Sequence, residues 1–228
     1  MEVARRLSLV RSTLPETVTL VAVSKTHPVE AIRAAYDAGQ RIFGESRPQE
    51  MVQKHQVLPD DIEWHMIGHL QTNKIKYIAP FVTLIHSVDS ARLAEALERE
   101  AAKCGRTLDI LREIRVADEE TKTGWDFGEL MQYVRSAPFV QMSHLRVRGV
   151  MGIATHTTDE RIIRRDFTEL KRCFDLLRPY FADRFDTLSM GMSHDYGCAV
   201  ECGATMVRVG SLIFGERTYA PQSEPVLP

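Results

Sequence analysis

Eight short apolar runs, alternating with segments of helical periodicity, are the strongest constraint on how this 228-residue chain can fold. The runs are "VTLVAVS" (18–24), "RIFG" (41–44), "IEWHMIG" (62–68), "TLIHSV" (83–88), "LDILREI" (108–114), "VRGVMGI" (147–153), "FDTLSM" (185–190) and "TMVRVG" (205–210). Helical spacing is clearest over 159–178, where Ile163, Phe167, Leu170, Phe174 and Leu177 recur at steps of three and four. Val29, Ile32 and Tyr36 repeat this after the first run, and Leu93, Leu97 and Ala101 after the fourth. Strand followed by helix, repeated, is the pattern of an α/β protein with a parallel sheet. Eight such units fit a single (β/α)8 TIM-type barrel, a fold of about 250 residues. A doubly wound open sheet uses the same units, since periodicity counts them without showing closure.

Composition narrows the function classes. The chain is 44% apolar and 26% charged, and its 29 basic residues nearly balance 31 acidic ones. No basic stripe with interleaved aromatics marks a nucleic-acid partner. The start, "MEVARRLSLVRSTL", lacks the apolar core of a secretory signal and reads as an amphipathic helix. No apolar run reaches the roughly 18 residues of a membrane span. A cytoplasmic protein without a membrane partner is expected. Cys104, Cys173, Cys198 and Cys202 form no C-x-x-C pair and read as buried thiols. The expected organisation is one barrel over 1–217 and a loose, proline-bearing tail over 218–228. The echo between "RIFGES" (41–46) and "LIFGER" (212–217) reads as two barrel strands in similar surroundings.

In a parallel barrel, chemistry gathers at the carboxyl ends of the strands. Lys25 ends the first run behind Leu20, Val21, Ala22 and Val23. It is either a lysine snorkelling to solvent or an amine nucleophile. An ordinary lysine is only about 0.04% neutral at pH 7, so attack on a carbonyl needs a lowered pKa. In "LSMGMSHD" (188–195), Gly191 allows a sharp turn and Ser193 offers a hydroxyl, as a helix cap or for an anion. Gly210 and Ser211 follow the eighth run, and the loops after strands 7 and 8 are where barrels commonly hold phosphate. Arg208, inside that run, is costly to bury without a partner. An amine, a phosphate cradle and an interior arginine suit a phosphorylated aldehyde, although a Schiff-base aldolase has similar parts. His65 and His69 stand four apart without a third metal ligand. His27 is expected on the side opposite Lys25, as a structural or surface residue, Asn73 and Lys74 open a helix at the rim, and Glu119 and Glu120 read as a solvated loop.

Through "VAVSKTHP", "FGES..QE", "WHMIGHLQTNK", "SVDS", "TKTGW", "LSMGMSHD" and "GATMVRVGSLIFGER", nearly the whole chain resembles the pyridoxal-phosphate homeostasis protein family. Its members are small single-domain relatives of the alanine racemase barrel. The resemblance implies that Lys25 holds pyridoxal 5'-phosphate as a Schiff base. It also implies that Ser193 and the backbone of Gly210 and Ser211 bind the phosphate, with Met192 and Leu70 near the ring and Arg208 facing the pyridine nitrogen. Ser46 stands where many members have asparagine, with a shorter reach toward the ring substituents. An arginine does not share its proton with the ring, which makes a poor electron sink. Racemases of this kind also take a second acid–base group from another domain. The expectation is therefore a monomer that buffers the cofactor or delivers it to PLP-dependent apoenzymes, and not an enzyme. An amino-acid racemase, a Schiff-base aldolase and a plain interaction scaffold are the alternatives.

Overall fold

The computed structural model describes residues 2–119, 123–136, 142–181 and 184–216. Eight parallel strands close into a barrel in sequence order. They are β1 (Thr19–Val23), β2 (Ile42–Glu45), β3 (Glu63–Met66), β4 (Leu84–Val88), β5 (Leu108–Glu113), β6 (Leu145–Met151), β7 (Thr187–Ser189) and β8 (Met206–Val209). Closure comes from β1 pairing with β8, Thr19 opposite Met206 through Ala22 opposite Val209, which removes the open-sheet alternative. The strand ends differ from the sequence reading by at most two residues. β6 is shifted as a whole by two residues, its pairing with β5 beginning already at Leu145.

Among the described residues the helices are α1 (Glu2–Ser12), α2 (Val29–Asp37), α3 (Pro48–His55), α4 (Ile75–Ile78), α5 (Ala91–Lys103), α6 (Phe127–Val134), α7 (Glu160–Leu177), α8 (Tyr196–Glu201) and α9 (Ser211–Phe214). Side-chain caps start three of them: Ser90 accepts from Leu93 N–H, Asp126 from Gly128 and Glu129 N–H, and Asp159 from Arg161 N–H. On α7 the stripe Ile163, Phe167, Leu170, Phe174 and Leu177 is buried, as its spacing requires. Truncating Leu170 to alanine there would cost about 2–5 kcal/mol.

Strand alternation divides the core in two. The larger cluster lies between barrel and helices, and a smaller one inside the barrel joins Val21, Leu84, Leu111, Met151 and Met206. Three sequence readings need correction. "LIFGER" supplies α9, not a strand, because Gly210 ends β8 before it. Of the cysteines only Cys173 is buried; Cys104 is exposed, and Cys198 and Cys202 are half-buried because α8 is a short surface helix. Glu119 is half-buried and accepts the His156 N–H at 2.9 Å, so it belongs to a structured loop. Glu120 and the tail over 218–228 lie outside the described residues. Among those described, no helix is long and apolar enough to cross a membrane.

Candidate functional site

The carboxyl ends of all eight strands wall one cavity of about 470 Å³. Lys25, Ser46, Met192, Ser193, Arg208, Gly210 and Ser211 all line it. Leu70 is set apart: it is 2% exposed and lines an adjoining cavity of about 540 Å³ with Asp89 and Arg115.

Lys25 is not a continuation of β1. The strand ends at Val23, and Ser24 to His27 form a tight turn closed by the His27 N–H on the Ser24 carbonyl at 3.1 Å. Thr26 sits in this turn at φ +67°, a left-handed conformation that costs a β-branched residue about 1–3 kcal/mol. Residues two apart on a strand share a face, so alternation itself groups His27 with Lys25, and the expected far side is corrected. His27 in fact lines the same cavity and stacks on Phe214 with ring centroids 5.0 Å apart.

The loops after β7 and β8 are joined. Ser193 Oγ accepts the Gly210 N–H at 3.2 Å, which leaves the hydroxyl hydrogen for another acceptor. Ser193 is therefore no helix cap; Asp195 precedes α8, and its carboxylate holds the Met192 N–H. Gly191 makes the turn possible at φ +89°, where a Cβ would fall 2.6 Å from Ala199 Cβ. At Gly210 a Cβ would come within 3.1 Å of the Val23 carbonyl oxygen and crowd the backbone beside Lys25.

Arg208 is 4% exposed. Its Nη1 donates to Ser189 Oγ at 2.7 Å and its Nη2 to the Gly152 carbonyl at 3.0 Å. Burial lowers the guanidinium to about 10, which still leaves it protonated at neutral pH.

Several cavity residues carry no sequence motif. Glu113, at the end of β5, is the one carboxylate among the described residues lining the cavity, and it accepts Thr123 Oγ1 at 2.9 Å. Burial pushes its carboxyl up. A signal was available, since Glu113 shares strand parity with the interior Leu111. His65 and His69 diverge: His65 turns inward to His86 at 3.1 Å, while His69 pairs with Asp89 at the rim at 3.3 Å. Asn73 and Lys74 lie in a single 3-10 turn over Thr72–Lys74 ahead of α4, beside Ser46 in a third cavity.

The alanine racemase N-terminal domain family matches residues 2–218. The pyridoxal phosphate homeostasis protein of Aquifex aeolicus is 42% identical over 204 residues, covering 88% of this chain and 87% of that protein. PipY of Synechococcus elongatus superposes without PLP at a TM-score of 0.87 and 40% identity, covering 93% of this chain and 100% of its own. Its structure with PLP bound superposes at 0.82 with the same coverage. A Clostridium difficile alanine racemase shares the fold at a TM-score of 0.76 and 13% identity, over 98% of this chain and 58% of the racemase.

Proposed function

Because the chain belongs to the alanine racemase N-terminal domain family, and within it to the pyridoxal phosphate homeostasis proteins, we propose that it binds pyridoxal 5'-phosphate reversibly through Lys25. The observation that carries this reading is the meeting of Lys25, Ser193, Gly210, Ser211 and Arg208 around one cavity. The residues present fit the group. Ser193 and Ser211 bring hydroxyls to a wall where Gly210, lacking a Cβ, leaves room for phosphate oxygens. Bound pyridoxal phosphate supplies an aldehyde that an amine can capture and a ring that can store electron density.

The chain's own groups then divide the work. Lys25 would hold the cofactor through its amine, a reversible nucleophile toward the aldehyde. Ser193 would offer its hydroxyl hydrogen to the phosphate, and Met192 and Ser46 would border the ring. Arg208 would stand toward the ring nitrogen, and a guanidinium has only donors to offer there, where a carboxylate would stabilise a proton on that nitrogen. Without that proton the ring is a weak electron sink, which favours holding the cofactor over transforming amino acids. On this reading the protein works as a cytoplasmic monomer that buffers the cofactor and passes it to apoenzymes that require it.

Purified protein mixed with pyridoxal phosphate should absorb in the visible range, and Lys25→Ala should abolish the band. A wild type that stays colourless would sink the proposal. Racemase activity would instead show as solvent deuterium entering Cα of an amino acid at a catalytic rate.

A further inference from the structure

A buried ion cluster lies behind Lys25 and takes no part in lining its cavity. Its centre is Lys54 on α3, an ammonium 5% exposed. Lys54 Nζ donates to the Ser24 carbonyl at 2.8 Å, to Glu45 Oε1 at 2.8 Å and to Glu50 Oε1 at 2.7 Å. Ser24 Oγ donates to the same Glu45 oxygen at 2.6 Å, and the Thr26 N–H donates to the same Glu50 oxygen at 2.6 Å. Ser24 and Thr26 are the two neighbours of Lys25 in the chain, and both are tied to one ammonium, directly or through one carboxylate.

We propose that Lys54 is the positioning residue for Lys25, setting the direction of its side chain by clamping the backbone on either side of it. The physical need is plain. A left-handed threonine is a conformation that the chain leaves unless its surroundings over-determine it. The Glu50 carboxylate holds the Thr26 N–H, and Lys54 holds Glu50 and the carbonyl that closes the turn. An ammonium buried at this depth is expensive unless every donor is used, and here all three are. Lysine at this position thus serves the turn as much as the core. The inference rests on the reading that Lys25 carries the cofactor, but the geometry of the turn can be tested without it.

The test uses protein stripped of cofactor. The pH profile of Lys25 acetylation by acetic anhydride, read by peptide mass spectrometry, reports the surroundings of the amine. Retention of added pyridoxal phosphate is measured alongside. Lys54→Met and Glu50→Ala should each move the midpoint of the labelling profile by roughly half a pH unit or more and weaken retention about tenfold or more. Glu50→Gln keeps an acceptor oxygen for Thr26 and should stay within about threefold of wild type. Leu97→Ala, a core truncation in α5, should lower the melting temperature and leave both readouts unchanged. If Lys54→Met does not fold, Glu50→Ala carries the test, because its side chain is partly exposed. Folded variants with the wild-type labelling profile and retention would overturn the proposal. A wild type that takes up no cofactor would fail the functional reading alone, with the labelling profiles still deciding the role of Lys54.

Discussion

Arg208 Nη1 donates to Ser189 Oγ over 2.7 Å, and that contact begins a line of hydrogen bonds along the barrel interior. A guanidinium only donates. From the Ser189 hydroxyl the line runs on to His86 Nδ1 at 3.1 Å, and from His86 Nε2 to His65 Nδ1 at 3.1 Å. His65 borders a further cavity of about 360 Å³ at the amino ends of the strands. The line joins the wall of the Lys25 cavity to the opposite mouth of the barrel, with both imidazoles held neutral by burial.

Cutting this line should be costly. His86→Phe removes the partner that His65 Nδ1 and Ser189 Oγ each have in His86 inside the barrel. The expected loss is about 2–4 kcal/mol of stability in urea unfolding, one buried unsatisfied group contributing about 1–3 kcal/mol. A loss below about 1 kcal/mol would show that the line is not a unit.

The same burial gives a pH signature. Burial holds His65 down at about 3 and His86 well below its ordinary value. A histidine lowered in the folded state favours folding fully above its unfolded pKa near 6.5. That stability is lost as pH falls, because the unfolded chain takes up a proton the folded one refuses. Glu45 acts in the opposite sense. Burial pushes its carboxyl up to about 7, and its Oε2 has no hydrogen-bond partner among the described residues. Its contribution is whole below its ordinary value of 4.5 and is lost as pH rises toward 7. Between about pH 6.5 and 5, His65→Gln should lose less stability on acidification than wild type, and Glu45→Gln should lose more. Each difference should reach about 1–2 kcal/mol, at about 1.4 kcal/mol per proton per pH unit. Parallel urea midpoints for all three proteins would contradict this.

The phosphate side of the cavity makes a separate claim. Ser193→Ala removes one donor and strands the Gly210 N–H that Ser193 Oγ accepts. Pyridoxal phosphate affinity, measured by fluorescence titration, should fall about 10- to 100-fold, the range for a hydrogen bond to a charged group. Pyridoxal, which has no phosphate, should bind the variant and wild type alike. An equal loss for both ligands would place Ser193 elsewhere.

Much of this molecule could be read before folding it. The barrel was visible in the eight apolar runs, because strands covered on both faces leave a long hydrophobic signature. Seven of the eight residues singled out line one cavity, since position at a strand's carboxyl end follows from chain order alone. Leu70 fell into the next cavity, because the loop after β3 turns away within a few residues. His27 was misassigned on parity: two residues from Lys25, it belongs on the same side, and it lines the same cavity. The ion cluster around Lys54 and the line through His86 were illegible for another reason. Each joins residues from distant parts of the chain, and a lone histidine in "TLIHSV" or a lysine on a helix face carries no sign of its partner.

The most direct test of Lys25 as the cofactor-holding amine is borohydride reduction of protein incubated with pyridoxal phosphate, followed by peptide mass spectrometry. Wild-type protein should gain one phosphopyridoxyl group, on the peptide containing Lys25. An adduct spread over surface lysines, or no adduct at all, would contradict it.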